Sequence, residues 1–216
     1  MSLFRLDASI RVEGSHSREL ADVVEQEWRS ANPGADVVRR HVGTEPIPST
    51  AWGAAASTRF IPADQHSPEQ REAVALAAEL TDELIHADAL LFAVPLYNFG
   101  VSQHFKTWVD LVITDPRMAA GTDPVLKGKP AVLVVVRGGA YGAGTPREGW
   151  DHSTAWIRRI FEDVWALDLK IVEVEFTLAD VNPAMAEFRD LARQLRAEAE
   201  QVAREHGRSL GGQQAA

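Results

Sequence analysis

The sequence predicts a doubly wound α/β domain: a five-stranded parallel sheet with helices on both faces. Two patterns carry this prediction. Short β-type runs alternate with amphipathic helical stripes along the chain, as a succession of strand–helix–strand units requires. Several of the strand runs, Ala89–Val94 and Ala131–Val136 above all, are apolar at every position, which suits central strands covered on each side.

In chain order, strands are expected over Ser2–Ala8, Ala35–Val42, Ala89–Val94, Ala131–Val136 and Leu169–Phe176. The first helical stripe is Leu20, Val23, Val24 and Trp28, with Ser17 as its N-cap. The second is Ala73, Leu76, Ala77, Leu80 and Leu84, opened by Ser67-Pro68 with proline at the first helical position. Val101, Phe105, Trp108, Val109 and Val112 form the third; Ile157, Ile160, Phe161 and Val164 the fourth; Met185, Phe188, Ala192 and Leu195 the last. Each follows the i, i+3, i+4 spacing of one helix face. Two long connections, Gly43–Ser67 and Thr114–Lys129, read as lids or subunit contacts. The expected organisation is a single domain over residues 1–206 and a disordered tail over 207–216, where Gly, Gln and Ala dominate.

Composition excludes several functions. The chain has 216 residues, a formal net charge of −9 and no Cys. Without cysteine there is no disulfide framework, thiolate zinc site or cysteine nucleophile. The longest apolar runs fall far short of the roughly 20 residues that span a bilayer, and no signal peptide is visible at Met1–Arg5. No membrane association and a cytoplasmic location are therefore expected. Net negative charge argues against nucleic acid, whose binding needs clustered Lys and Arg. An anionic ligand would have to bind against the overall charge. Locally the balance differs: within residues 1–18, Arg5, Arg11 and Arg18 outnumber Asp7 and Glu13. Between residues 60 and 100, Asp64, Glu69, Glu72, Glu79, Asp82, Glu83 and Asp88 face Arg71 alone, a run read as a solvated helical face.

In doubly wound sheets, ligands bind beyond the carboxyl ends of the strands. After the first strand, Ser9, Ser15 and Ser17 supply hydroxyls, Gly14 backbone freedom, and the helix start its unpaired N–H groups, together a phosphate cradle. Ordinary serine caps look the same, and no G-x-G-x-x-G or P-loop motif supports a dinucleotide or nucleoside triphosphate. After the third strand, Leu96-Tyr97-Asn98-Phe99-Gly100 can present main-chain N–H groups and apolar side chains to a planar ring, or form a core aromatic pair on a turn. After the fourth, Arg137-Gly138-Gly139-Ala140-Tyr141 allows close backbone approach, with Arg137 able to meet a ring oxygen and Tyr141 able to stack. Three such segments at three strand ends describe a flavin mononucleotide site.

Ser9…Ser15-His16-Ser17, Pro95-Leu96-Tyr97-Asn98-Phe99 with Ser102 and Lys106–Asp110, Gly128-Lys129 and Arg137-Gly138-Gly139 resemble the FMN-dependent NADH:quinone oxidoreductases known as azoreductases. The similarity runs from about residue 3 to residue 190 and is most specific at Pro95–Asp110. The resemblance implies a flavodoxin-like homodimer with FMN at the subunit interface, and ping-pong hydride transfer from NADH or NADPH to a quinone or azo compound. It implies that Ser9, Ser15, His16 and Ser17 hold the phosphate, that Leu96, Tyr97, Asn98 and Phe99 line the isoalloxazine, and that Val136, Arg137, Gly138 and Gly139 meet its pyrimidine edge. No catalytic side chain is required, because the cofactor carries the chemistry.

Two positions and one segment depart from the family's pattern. His16 stands where many relatives carry Gln, and Val136 where Ser is common. Ile113–Lys129 lacks the aromatic segment that usually covers the flavin and lines the acceptor pocket. A pathway-specific flavoenzyme acting on one secondary metabolite, or a flavodoxin-type electron carrier, therefore remain as alternatives. The seven His residues show no metal-ligand spacing. His104, Lys106 and Asp110 read as solvated helix positions, and most of the six Trp as core, with Trp52 the candidate for a dimer contact or pocket wall.

Overall fold

A computed structural model describes residues 1–212. Five parallel strands, β1 (Ser2–Asp7), β2 (Asp36–His41), β3 (Ala89–Pro95), β4 (Pro130–Val136) and β5 (Asp168–Val174), lie in the order β2-β1-β3-β4-β5. The strand order reverses between β1 and β3, which opens a crevice at their carboxyl ends. The helices are α1 (His16–Ala31), α2 (Ala51–Ser57), α3 (Pro68–His86), α4 (Gln103–Val112), α5 (Thr154–Arg158) and α6 (Arg189–Gly212). On one face Leu20, Val24 and Trp28 of α1 and Ala199, Ala203 and Leu210 of α6 pack on Leu3, Leu91, Val132 and Val172. On the other, α2 to α5 cover Phe4, Leu6, Phe92 and Leu133. Alternate residues of β1 thus enter opposite cores, and every residue of β3 is buried, as its unbroken apolar run requires.

Local signals mark several helix starts. Ser67 and Gln70 form a reciprocal capping box with Pro68 at the start of α3, and the Ser102 hydroxyl accepts from the Phe105 N–H to begin α4. The far end of α3 is closed from a distance: the Lys129 ammonium donates to the carbonyls of Leu84, Ile85 and Ala87 at 2.6–2.7 Å. Burial lowers the Lys129 pKa, with Asp88 opposing.

Several expectations are corrected. Ser15, not Ser17, caps α1, because its hydroxyl accepts from the Arg18 N–H. The fourth helical stripe is α5 followed by a wider π-type turn over Arg159–Val164. Met185 and Phe188 lie in a 3-10 turn that precedes α6. The connection 43–67 contains α2, whose Ala51 and Ala55 are buried, while Trp52 stays 47% exposed. The expected tail over 207–216 is helical to Gly212, and residues 213–216 lie outside those described. Its glycines have a packing reason: a Cβ on Gly207 would stand 2.5 Å from the Val24 carbonyl oxygen, and one on Gly211 would stand 2.7 Å from the Ala31 Cβ. The acidic face of α3 is partly paired, Glu79 and Glu83 with Arg40 and Asp82 with Arg117. Lys106 and Asp110 pair on the surface of α4. Trp28, Trp108 and Trp165 are core residues, but Trp150 is 49% exposed.

Candidate active site

Sheet hydrogen bonding runs just past the strand ends before the chains part. The Ala8 N–H donates to the Ala93 carbonyl, Leu96 to Val136 and Arg137 to Val174, at 2.8–2.9 Å. Beyond this edge lies a cavity of about 250 Å³. It brings together Ser9, Ser15, His16 and Ser17 from the first loop, Leu96 and Tyr97 from the third, and Val136 and Gly138 from the fourth. Asn98, Phe99, Arg137 and Gly139 lie outside that lining.

The first loop is held by its own side chains. The Arg18 guanidinium donates to the carbonyls of Arg11 and Val12 at 2.5 and 2.6 Å, and Gly14 adopts the left-handed φ of 60° that turns the chain into α1. Ser9, Ser15 and Ser17 are almost fully buried, and the Ser15 and Ser17 hydroxyls stand 3.2 Å apart. With Ser15 as cap, the first-turn N–H groups of His16 and Ser17 have no acceptor within the helix. Beneath, a Cβ on Gly43 would fall 2.1 Å from the Ser9 carbonyl oxygen, so only glycine lets β2's end lie this close.

No carboxylate lines this cavity, whereas Arg11 and His16 do. Asp7, at the end of β1, is buried and turned to Arg5, 3.2 Å away. The chain's acidic excess is therefore kept out of this cavity.

The third loop is a tight turn. Tyr97 and Gly100 exchange two main-chain hydrogen bonds of 2.9 Å, and Asn98 and Phe99 between them take φ values of 47° and 68°. Left-handed backbone at both central positions is a type I′ arrangement, costing on the order of 1–3 kcal/mol for each non-glycine residue. The turn places the Tyr97 hydroxyl against the first loop and leaves Phe99 39% exposed.

The fourth loop departs from expectation at Arg137. Its guanidinium is buried and hydrogen-bonded to Asp151 at 2.7 Å, Glu173 at 3.1 Å and the Thr154 hydroxyl at 3.0 Å. Burial opposes its charge, but these carboxylates outweigh burial and raise the pKa further. Asp151 is likewise pushed up by burial and pulled below the usual carboxylate range by Thr154 and Arg137. In strand alternation Arg137 follows Val135 onto the α5 side, whereas Val136 faces α1 and α6. Gly138 returns to the cavity wall, and a Cβ there would stand 2.6 Å from Leu178 Cδ1. Tyr141 lies edge-on to Phe99, their centroids 6.3 Å apart.

Arg11 and Pro95, from segments singled out in the sequence but not assigned to the ligand, also line the cavity, as do Thr177 and Leu178, which the sequence reading missed. For Thr177 and Leu178 a signal existed: they follow the fifth strand, whose carboxyl end belongs to the same edge of the sheet. Among the described residues no cluster of His, Asp and Glu can hold a metal, and no helix is long and apolar enough to cross a membrane.

The sequence family described by its flavodoxin-like fold matches residues 1–199. An FMN-dependent NADH:quinone oxidoreductase of Frankia alni is 43% identical over 205 residues, covering 94% of this chain and 97% of that protein. The crystal structure of the azoreductase AzrA superposes with a TM-score of 0.76 at 19% identity, covering 97% of this chain and all of the other. An FMN-dependent NADH-azoreductase of Bacillus anthracis, solved in complex with FMN, gives a TM-score of 0.74 at 14% identity over 94% of this chain and 98% of its own.

Proposed function

Because the chain belongs to the family of FMN-dependent NADH:quinone oxidoreductases, we propose that it is an FMN-dependent NAD(P)H oxidoreductase acting on quinone-like or azo acceptors. One observation supports this most directly. A carboxylate-free cavity at the strand-order reversal joins three buried serine hydroxyls to the Leu96–Tyr97 wall.

The donor set fits FMN. Ser9, Ser15 and Ser17, the first-turn N–H groups of α1, and Arg11 would hold the phosphate, since each offers a donor or positive charge. Leu96, Tyr97 and the Val136–Gly138 strip would flank the flat ring. Asn98, Phe99 and Gly139 belong to the same loops and would extend that wall. Arg137 contributes through its place in the backbone, because its guanidinium is committed to Asp151 and Glu173. When bound, FMN would supply the two-electron redox chemistry that links NAD(P)H to the acceptor. The chain's part is to bind, orient and surround the ring with fixed dipoles. Alternating use of one open face by nucleotide and acceptor, a homodimer and a cytoplasmic location complete the reading, with the half-exposed Trp52 as a candidate subunit contact.

The test is spectroscopic. The purified protein should be yellow, bleach anaerobically with NADH or NADPH, and recover its colour on adding a quinone. A colourless protein that FMN does not reconstitute would sink the proposal. A yellow protein that neither nucleotide bleaches would instead be an electron carrier.

A further inference from the structure

The outer part of the first loop depends on side chains for its shape. Arg11 is exposed, Val12 is 79% exposed, and no hydrogen bond between main-chain groups fixes residues 10–14 among the described residues. The Arg18 guanidinium, reaching back from the first turn of α1, donates through Nη2 to the carbonyls of both. Arg11 is also part of the cavity lining. What fixes Arg18 therefore fixes one side of the phosphate cradle.

Arg18 is held in turn by the end of β2. Its Nη1 lies 2.6 Å from Nε2 of His41, the last residue of that strand. A guanidinium has donors only and keeps its proton, so Nε2 is the acceptor and the imidazole is neutral. The ring proton then sits on Nδ1, which donates to the Thr44 hydroxyl at 2.8 Å. Between His41 and Thr44 lies Gly43, packed on the Ser9 carbonyl, so the histidine is anchored to the same cradle that it supports.

Among the described residues His41 has no carboxylate partner. On β1, Asp7 stands opposite in the sheet register but is held by Arg5 at 3.2 Å. On α1, Asp22 is paired with Arg5 at 2.6 Å. On β2, Arg39 shares the face of His41 and pairs with Glu25, while Arg40 turns to Glu79 and Glu83 of α3. Glu45 meets His41 through the main chain, its N–H donating to the His41 carbonyl at 2.8 Å. A second ring proton would therefore set imidazolium against guanidinium with no negative charge between them. Arg18 cannot relieve this by losing its own proton, so the contact must open.

We propose that His41 is a positioning residue for the flavin phosphate: neutral, it holds Arg18 on the first loop; protonated, it releases Arg18 and weakens FMN binding. Histidine changes charge between about pH 5 and 8, so cofactor retention is coupled to pH through a strand that contributes nothing to the cavity lining. This deepens the proposed function and rests on it. Two other groups bear on the same pH range, His16 in the cavity wall and the flavin phosphate, which takes up a proton near about pH 6. Both are common to every variant at position 41, so they cancel when variants are compared.

The test measures the FMN Kd of the apoprotein by fluorescence quenching near about pH 5.5 and about pH 8, in the parent, His41→Gln and His41→Lys. Glutamine keeps an acceptor for Arg18 and does not titrate; lysine places a permanent cation there. Near pH 8 the parent and His41→Gln should agree within about two-fold. Near pH 5.5 the parent should bind about ten-fold more weakly than His41→Gln, the effect of one pKa unit of coupling. His41→Lys should bind about ten-fold more weakly than the parent near pH 8. A ratio of parent to His41→Gln that is the same at both pH values would overturn the proposal. So would a His41→Lys protein, folded by circular dichroism, that binds FMN like the parent near pH 8. If His41→Lys does not fold, the parent and His41→Gln decide alone. A parent that binds no FMN at either pH would defeat the function reading instead, and trypsin would then decide the role of His41. Cleavage after Arg11, whose carbonyl Arg18 holds, should be several-fold faster in His41→Lys than in His41→Gln, and equal rates would overturn the proposal.

Discussion

The Tyr97 hydroxyl stands 3.3 Å from the Ser9 hydroxyl and accepts from the Ile10 N–H at 3.2 Å. Two loops separated by most of a sheet crossover are thereby joined across the mouth of the cavity. Tyr97→Phe keeps the ring and removes the bridge. A neutral hydrogen bond contributes about 1 kcal/mol, so FMN should bind about five-fold more weakly. Titration of the apoprotein by quenching of FMN fluorescence measures this, and an unchanged Kd would show that the bridge does not shape the site.

The buried serines make a second prediction. Replacing Ser9 and Ser17 together with alanine removes two hydroxyls from the cradle while the Ser15 cap of α1 remains. FMN affinity should fall by about a hundred-fold or more, at about 1.5–3 kcal/mol for each hydrogen bond to a charged group. Riboflavin, which lacks the phosphate, should bind the variant as it binds the parent. Equal losses for both flavins would refute the phosphate assignment.

Lys129 is a stability residue at the amino end of β4, the opposite end of the sheet from the site. Its three donors satisfy the last carbonyls of α3, which Lys129→Met would leave bare. Loss of about 3 kcal/mol is expected from bonds to a charged group, lowering Tm by roughly 6–12 °C in a domain of this size. Thermal denaturation followed by circular dichroism tests it, and a shift below a degree or two would contradict the capping role.

Acid sensitivity should centre on Glu25. Burial pushes its carboxyl up, but hydrogen bonds from Arg29, Arg39 and Arg5 outweigh burial and hold it below its ordinary value of 4.5. A carboxyl depressed in the folded state stabilises above its unfolded pKa, and that stability disappears as pH falls through the folded value. Glu25→Gln should therefore cost about 3 kcal/mol at pH 7, since it leaves buried Arg5 short of a partner. The gap between variant and parent should narrow steadily below pH 4.5. Urea denaturation across this range measures the gap, and one that stays constant would remove Glu25 from the account.

The last helix offers a steric test. Gly207→Leu would drive a side chain into the Val24 carbonyl of α1, where a Cβ alone already falls 2.5 Å from that oxygen. The expected cost is about 1–3 kcal/mol, whereas a disordered tail would tolerate the change without loss.

What the sequence determined by itself was the sheet, most of the helices that cover it and the three loops that meet at its edge, but not α2 or the last turns of α6. Those features follow from local regularities: Ala89–Val94 has no polar face, so it must be covered twice, and Ser67-Pro68 with Gln70 starts a helix wherever it lies. Ser9, Ser15, Ser17, Leu96, Tyr97 and Gly138 were legible for the same reason, because the end of a parallel strand fixes where its next residues go. Only the tertiary structure decided which way Arg137 points. Its carboxylate partner Glu173 is 36 residues away and belongs to a neighbouring strand, so no local pattern announces the pair. The same holds for Gly207 and Gly211, which read as tail residues until α1 lies against them. It holds too for Trp150, whose ring meets that of Phe99, far away in the sequence, at 5.3 Å. Burial patterns are written along the chain, but the choice among charged and aromatic partners is made only when distant segments arrive at the same edge.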